Sequence, residues 1–464
     1  MTDVAAPQTG SQPKGRKPGP ATFTRVEVNA AVSAASAAAK FGPEHTTEPV
    51  AYDGILLASF GGPEGQDEVI PFLRNVTAGR GIPDERLEEV AHHYRHYGGV
   101  SPINEQNRQL KASIERELER RGIDLPVFWG NRNSEPYFND VLLDAREAGC
   151  STLIAVATSA YSSFSSCRQY REDFADALED TGLGGQLTID KVRAFFDHPG
   201  FVAPFIEGVR DAVLSLAQED AQLDLATEVE VLFTTHSVPM ADAANSGPPG
   251  AGFGESGAYA AQHLAVAEVV ALAALQELEE DTTISGRVPE QLSWQLVYQS
   301  RSGPPSQPWL EPDINDVIAE LPSKGAKAVV VVPIGFVSDH MEVLWDLDNE
   351  AKDSAADAGL AFRRTPTPGI HAKYVEGLVD LILERRDATP VGERPAMTSI
   401  GPWFDVCRPG CCANKRLGFK PAVSGLLPWP GGSAREAARS RSRRRRRWRG
   451  SSSASRASRP SWCE

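Results

Sequence analysis

Six short runs of almost uninterrupted apolar and β-branched residues punctuate the middle of this 464-residue chain. They stand at 52–60 (YDGILLASF), 125–130 (LPVFWG), 151–159 (STLIAVATS), 229–235 (VEVLFTT), 293–299 (SWQLVYQ) and 327–334 (KAVVVVPI). A strand with one wet face alternates polar and apolar residues, whereas runs like these read as strands buried on both faces of a parallel sheet. Segments of helical spacing separate them. Leu110, Ile114 and Leu118 mark one, Phe138, Val141, Leu142 and Ala145 a second, and ESGAYAAQHLAVAEVVALAALQELEE is a long alanine-rich third. Ser101-Pro102 predicts an N-cap followed by proline at the first helical position. Strand and helix in alternation predict an α/β architecture of parallel sheets flanked by helices. The runs divide into halves at about 50–200 and 201–385, each with at least three strands, and a linker is expected near FFDHPGFVAP.

The two ends differ from this middle. Residues 1–49 are rich in small and polar residues and too poor in bulky apolar groups to order themselves, so a disordered extension without a signal peptide is expected. The segment 435–464 holds eleven Arg and two Glu, out of 47 basic and 62 acidic residues in the chain. Without it the net charge of −15 becomes −24. Residues 426–464 therefore read as a solvated Arg-rich tail, with no nucleic-acid partner expected of the acidic remainder. The runs GILLASF and AVVVVPIGF fall well short of the roughly 20 residues that cross a bilayer, so no transmembrane segment is expected. Six cysteines in a chain of this length do not form a secreted disulfide framework and fit a reduced cytoplasm.

In open α/β sheets the site is built by loops leaving the carboxyl ends of the strands. Here those loops carry "SFGGP" with Phe60, "AYSSFSSCRQYRED" with Tyr161, Cys167, Arg168 and Tyr170, "HSVP" with His236, and "GFVSDHMEVLWD" with Asp339, His340 and Glu342. Each has an ordinary alternative. A histidine at a strand end is commonly a loop residue, a glutamate in a first helical turn complements the helix dipole, and the proline-rich SRSGPPSQPWLEP reads equally as a connector. No GxGxxG follows the first strand and FGGPEG lacks the Walker lysine, which disfavours nucleotide binding.

Taken together, LLASFGGP, YGGVSPINEQ, TTHSVP, YQSRSGPPSQPWLEP and PIGFVSDHMEVLWDLD occur in an order and at separations that resemble the ferrochelatase family, over residues 50–385. Members of that family insert ferrous iron into a porphyrin. The resemblance implies two Rossmann-like, chelatase-type domains facing across a central cleft. It implies His236 and Glu342 as the pair that binds Fe²⁺ and takes pyrrole protons, and Ser101 and Tyr170 as porphyrin contacts. Phe60 stands where some bacterial relatives place a tyrosine, which leaves it as an apolar wall. Arg80 is a candidate propionate partner.

Cys407, Cys411 and Cys412 follow the last expected helix, in a C-terminal extension at 386–425, and Cys167 is distant from them. Four thiolates suit zinc or an iron–sulfur cluster. The ferrochelatase resemblance implies a [2Fe–2S] cluster on these four, although Cys-x3-Cys-Cys departs from the spacing expected of the family. Cys150 and Cys463 are left outside the set. The resemblance further implies coproporphyrin III as the substrate, with coproheme passing to a downstream decarboxylase, and a monomeric cytoplasmic enzyme. Protoporphyrin IX is the alternative substrate. A cobalt or sirohydrochlorin chelatase and a non-enzymatic porphyrin or haem carrier are the rival classes.

Overall fold

A computed structural model describes residues 45–46, 48–79, 81–303, 306–414 and 420–425. The expected N-terminal extension up to residue 44, Arg80, Cys463 and the Arg-rich tail at 426–464 lie outside the described residues.

Among the described residues, eight strands form two parallel four-stranded sheets. The first holds β1 (Gly54–Ser59), β2 (Val127–Asn131), β3 (Thr152–Ala157) and β4 (Thr188–Lys191) in the order β2-β1-β3-β4. The second holds β5 (Val229–His236), β6 (Ser293–Gln299), β7 (Ala328–Val332) and β8 (Ala361–Arg364) in the order β6-β5-β7-β8. The continuous apolar runs are explained by what each face meets. Ile55 and Leu57 of β1 pack with Ile154, Val156, Leu110 and Ile114, while Leu56 and Ala58 point the other way onto Phe138, Val141, Leu142 and Phe174. In β7, Ala328, Val330 and Val332 share that first core, and Val329 and Val331 belong to another. One apolar core thus runs through both halves.

Two of the four edge strands, β4 (TIDK) and β8 (AFRR), are absent from the sequence reading, whereas the edges β2 and β6 fall within the expected runs. Their side chains are satisfied by charge: Asp190 accepts from the Tyr52 hydroxyl at 2.9 Å and from Arg385 at 3.0 Å. Arg364 pairs with Asp348 at 2.8 Å. An edge strand has one unpaired side, and polar residues there leave no apolar run to detect.

Helix Ile103–Arg120 starts one residue later than expected. Pro102 takes the cap position and no side chain caps it; Ser101 instead donates its N–H to the Pro63 carbonyl at 2.9 Å. A Cβ on Gly62 would lie 2.7 Å from that of Ser101 and 2.8 Å from the Ile103 side chain. Glycine is what lets the β1 loop lie against this helix start.

The expected linker at FFDHPGFVAP is instead a buried junction. Residues 192–198 are buried throughout, and helix Pro199–Glu219 continues from them, with its Val209 and Val213 in the shared core. Arg193, fully enclosed, donates to Asp197, to Glu384 at 2.8 Å and to the Pro395 carbonyl at 3.0 Å. The linker inference fails because proline and glycine here serve a helix start: Pro199 occupies its first turn and His198 caps it, accepting the Gly200 N–H at 3.1 Å.

Helix Gly257–Glu280 is the one described helix long and apolar enough to cross a membrane, a length of apolar residues that the reading of short runs passed over. It is spent inside the protein: Ala258, Val266, Val270, Ala274 and Leu278 belong to the shared core.

Candidate active site

The carboxyl ends of β5 and β7 meet the loops of the first sheet. Hydrogen bonds join them, among them Asp339 N–H to Gln106 Oε1 at 2.9 Å, Tyr97 hydroxyl to the Leu344 carbonyl at 3.3 Å, and Tyr161 hydroxyl to the Ile334 carbonyl at 3.0 Å. At the mouth so formed, His236 ends β5. Glu342 lies in the first turn of the short helix Met341–Trp345, which His340 caps by accepting the Glu342 N–H at 3.2 Å.

His236 Nε2 and Glu342 Oε1 are 3.4 Å apart, on side chains that retain 29% and 46% of their exposure. Solvent or a ligand can therefore reach both. Burial opposes charge on the imidazole, but the neighbouring carboxylate outweighs it and pushes His236 up to about 9. Burial likewise opposes charge on the carboxylate, and the imidazolium holds Glu342 down to about 2. The pair rests as imidazolium and carboxylate. His236 Nδ1–H donates to the Ser237 carbonyl, which leaves Nε2 as the atom offered to the cleft.

Behind this pair the backbone is held rigidly. Tyr259 hydroxyl donates to the His236 carbonyl at 2.9 Å and lies 2.8 Å from Thr235 Oγ1. His263 donates Nδ1–H to the Tyr259 carbonyl at 2.7 Å, and its Nε2 stands 3.0 Å from Thr235 Oγ1. Burial pushes His263 down to about 3, so it is neutral there. Tyr161 stacks on it with ring centroids 3.6 Å apart. Glu342 is fixed by Gln299, which donates to its carbonyl at 2.8 Å. The β7 loop crosses so close to β5 that a Cβ on Gly335 would lie 2.1 Å from Thr235 Oγ1. Gly335→Ala is therefore expected to displace His236 and lower the turnover number on the order of 10²-fold, the loss associated with about 1 Å of misplacement. Steady-state kinetics on the folded variant checks this.

Asp346 is a site residue that the sequence reading did not single out. It accepts from the Ser300 hydroxyl and lies 3.4 Å from Gln299 Nε2. Burial, then the Glu342 carboxylate, push it up to about 7 against the Ser300 hydrogen bond. The signal was available: 342 and 346 are one helical turn apart and share a face. Ser300, first in SRSGPP, adopts a left-handed φ of 61° to reach it, so this stretch is more than a connector.

The other expected residues are placed differently. Phe60 is 37% exposed, edge-on to Phe72 at 6.3 Å and beneath Arg132 at 5.9 Å. Tyr170 is 3% exposed, packed near Phe138 and Phe174 and covered by Arg132 at 4.0 Å. Ser101 is buried against Gly62. The group lying over both aromatic rings is the Arg132 guanidinium, which bonds Asp173 at 2.6 Å.

Cys167, in a π-helical turn at Phe164–Arg168, and Cys407, Cys411 and Cys412 are all buried in one core. Cys411 and Cys412 sulfurs are 3.9 Å apart, and Cys412 accepts the Gly247 N–H at 3.1 Å. Gly410 at φ 80° and Cys412 at φ 51° supply the turn that turns neighbouring thiols inward. Hydrogen bonds from Cys167, then Cys411, hold Cys407 well below the usual thiol range. Cys150 stands apart, buried, with its sulfur 3.4 Å from the Asp53 carbonyl. Among the described residues, no three or more His, Cys, Asp or Glu side chains stand ready-made around one metal-ion position. The donor set still fits a four-thiolate group, and the buried Nη1 of Arg171 beside it lacks a hydrogen-bond partner.

The profile of the ferrochelatase family matches residues 52–386. A coproporphyrin III ferrochelatase from Leifsonia xyli subsp. xyli is 67% identical over 390 residues, covering 83% of this chain and 97% of the relative. One from Tropheryma whipplei is 54% identical, covering 81% and 93%. One from Streptomyces griseus subsp. griseus is 50% identical, covering 82% and 97%.

Proposed function

The chain belongs to the ferrochelatase family, and from that premise we propose that it inserts ferrous iron into coproporphyrin III to give coproheme. The relatives' names support this substrate. The observation that carries the chemistry is the His236–Glu342 pair, 3.4 Å apart, brought to one cleft by two adjacent strands.

Imidazole nitrogen and carboxylate oxygen both suit Fe²⁺. The metal and the proton shared by the pair compete for the same atoms, so iron binding releases that proton to water. Metallation then requires two pyrrole N–H protons to leave as two new Fe–N bonds complete the set of four. Glu342 and His236, freed of metal, are the nearest acceptors. Asp346, pushed up to about 7, exchanges protons readily near neutrality and can carry them outward. Phe60 offers the macrocycle an apolar wall. Ser101 and Tyr170 reach it through the Gly62 loop and Arg132 that cover them. The product coproheme is then a substrate for a decarboxylase in the same compartment, for which the cytoplasm is our reading, with a monomeric chelatase.

The decisive assay gives the purified protein Fe²⁺ anaerobically with coproporphyrin III or protoporphyrin IX. Many turnovers on coproporphyrin III, at a kcat/KM at least tenfold above that on protoporphyrin IX, are expected. A preference for protoporphyrin IX overturns the substrate, and a single product per chain would mark a carrier.

Cys167, Cys407, Cys411 and Cys412 are proposed to hold a [2Fe–2S] cluster. Such a cluster supplies one-electron redox chemistry when bound, and metal insertion needs no step through it. Anaerobically purified protein is expected to be red-brown, absorbing over about 400–600 nm; a colourless, iron-free preparation argues against the cluster.

A further inference from the structure

A small cavity beside the four thiols is lined by Cys167, Cys407, Arg171 and Lys191. Both cations are enclosed, Arg171 at 2% and Lys191 at 5% exposure. Neither forms an ion pair with a carboxylate among the described residues. The Asp405 carboxylate that lines the same cavity is already taken by Arg394 at 2.7 Å and by Thr46 at 3.0 Å. Among the described residues, Lys191 donates to the Val192 carbonyl at 2.8 Å.

Arg171 is clamped in place. Its Nε donates to the Val423 carbonyl at 2.7 Å, Val423 N–H returns a bond to the Arg171 carbonyl at 3.0 Å, and Gly425 lies so close that a Cβ there would be 2.2 Å from Nη2. Gly425 in turn bridges to Cys407. Among the described residues, the clamp leaves Nη1 buried with a donor and no acceptor. Among the described residues, the groups that can answer these two buried cations are the thiols themselves, and the buried Arg171 N–H lacks an acceptor; both are unfavourable unless negative charge resides at the sulfurs.

We infer that Arg171, assisted by Lys191, is the fixed counter-charge of the group held by Cys167, Cys407, Cys411 and Cys412, with Arg171 Nη1 donating a hydrogen bond to it. This rests on the cluster reading given above. Four thiolates around a [2Fe–2S] core carry net negative charge, and one-electron reduction adds another. Nearby positive charge and hydrogen bonds to sulfur raise the reduction potential of such a cluster. Arg171 and Lys191 are thus positioning residues for the cluster, outside the metal-insertion chemistry.

The test compares wild type, Arg171→Met, Arg171→Lys and Lys191→Met, all purified anaerobically as full chains. Iron and acid-labile sulfide per chain, the cluster's reduction midpoint and its rate of loss to a chelator are measured. Arg171→Met and Lys191→Met are expected to have midpoints more negative than wild type and to lose the cluster several-fold faster. Arg171→Lys, which keeps the charge but not the planar fork, is expected to hold a midpoint close to wild type while losing the cluster faster. If Arg171→Met does not fold, the other two variants decide. A coloured wild type with midpoint and loss rate unchanged in the variants overturns the role of the cations alone. A colourless, iron-free wild type overturns the cluster reading, and this inference with it.

Discussion

Replacing His236 by alanine is expected to lower the turnover number about 10²–10⁴-fold, the range that a positioned proton-transfer group contributes, while leaving the fold intact. The imidazole is 29% exposed. The bonds that organise the end of β5 run through backbone: Tyr259 to the His236 carbonyl, and Ser237 N–H to the Gln299 carbonyl at 2.7 Å. An alanine keeps all of them. Far-ultraviolet circular dichroism should match wild type, and coproporphyrin III should still bind. Glu342→Gln should behave alike, since the amide is nearly isosteric but neither takes a proton nor ligates iron as well. Because the two act on one metal and one set of protons, the double variant should lose little more than either single one. Near-wild-type turnover in His236→Ala would falsify the assignment.

The second large effect is on stability. Arg193→Met is expected to cost about 3–5 kcal/mol, the loss seen when one partner of a buried ion pair is removed, read as a lower urea midpoint with unchanged slope. The guanidinium is wholly enclosed and serves Asp197, also wholly enclosed, and Glu384. It also bonds the Pro395 carbonyl, while Asp197 receives Trp403 N–H at 3.2 Å. Methionine would leave two carboxylates buried around an apolar chain. Asp197→Asn, which keeps the hydrogen bond to Trp403 and a polar acceptor for Arg193, should cost less. Equal midpoints for wild type and Arg193→Met would show that the junction relaxes to admit water.

What was legible in the sequence follows the same physics. β1, β3, β5 and β7 were found because both their faces meet apolar layers, so burial is written at every position. β4 and β8 escaped because ion pairs, rather than apolar contacts, satisfy Asp190 and Arg364. His236 and Glu342 were reached through five motifs jointly, and the structure brings them together. Asp346 and Arg132 were missed because an aspartate on a helix and an arginine in a loop are common surface residues; only their neighbours, Glu342 and Ser300 for one, Phe60 and Tyr170 for the other, make them unusual. Ser101 was singled out as a cap, yet its N–H is turned to Pro63, because glycine at 62 allowed a closer approach than any sequence pattern records.

The thiol pocket joins residues that are far apart along the chain: Arg171 and Val423 are 252 positions apart. On the ribosome the first sheet can form long before Cys407 emerges, and closing so wide a loop is slow. Until then Cys167 and Arg171 stand in a half-built pocket with their eventual partners unsynthesised. The pocket can be closed only after both sheets exist. The order of synthesis therefore separates two assembly events in time: the cleft at His236 can be assembled first, and the thiol pocket is sealed last, by the C-terminal strap that Arg193 and Arg171 hold down.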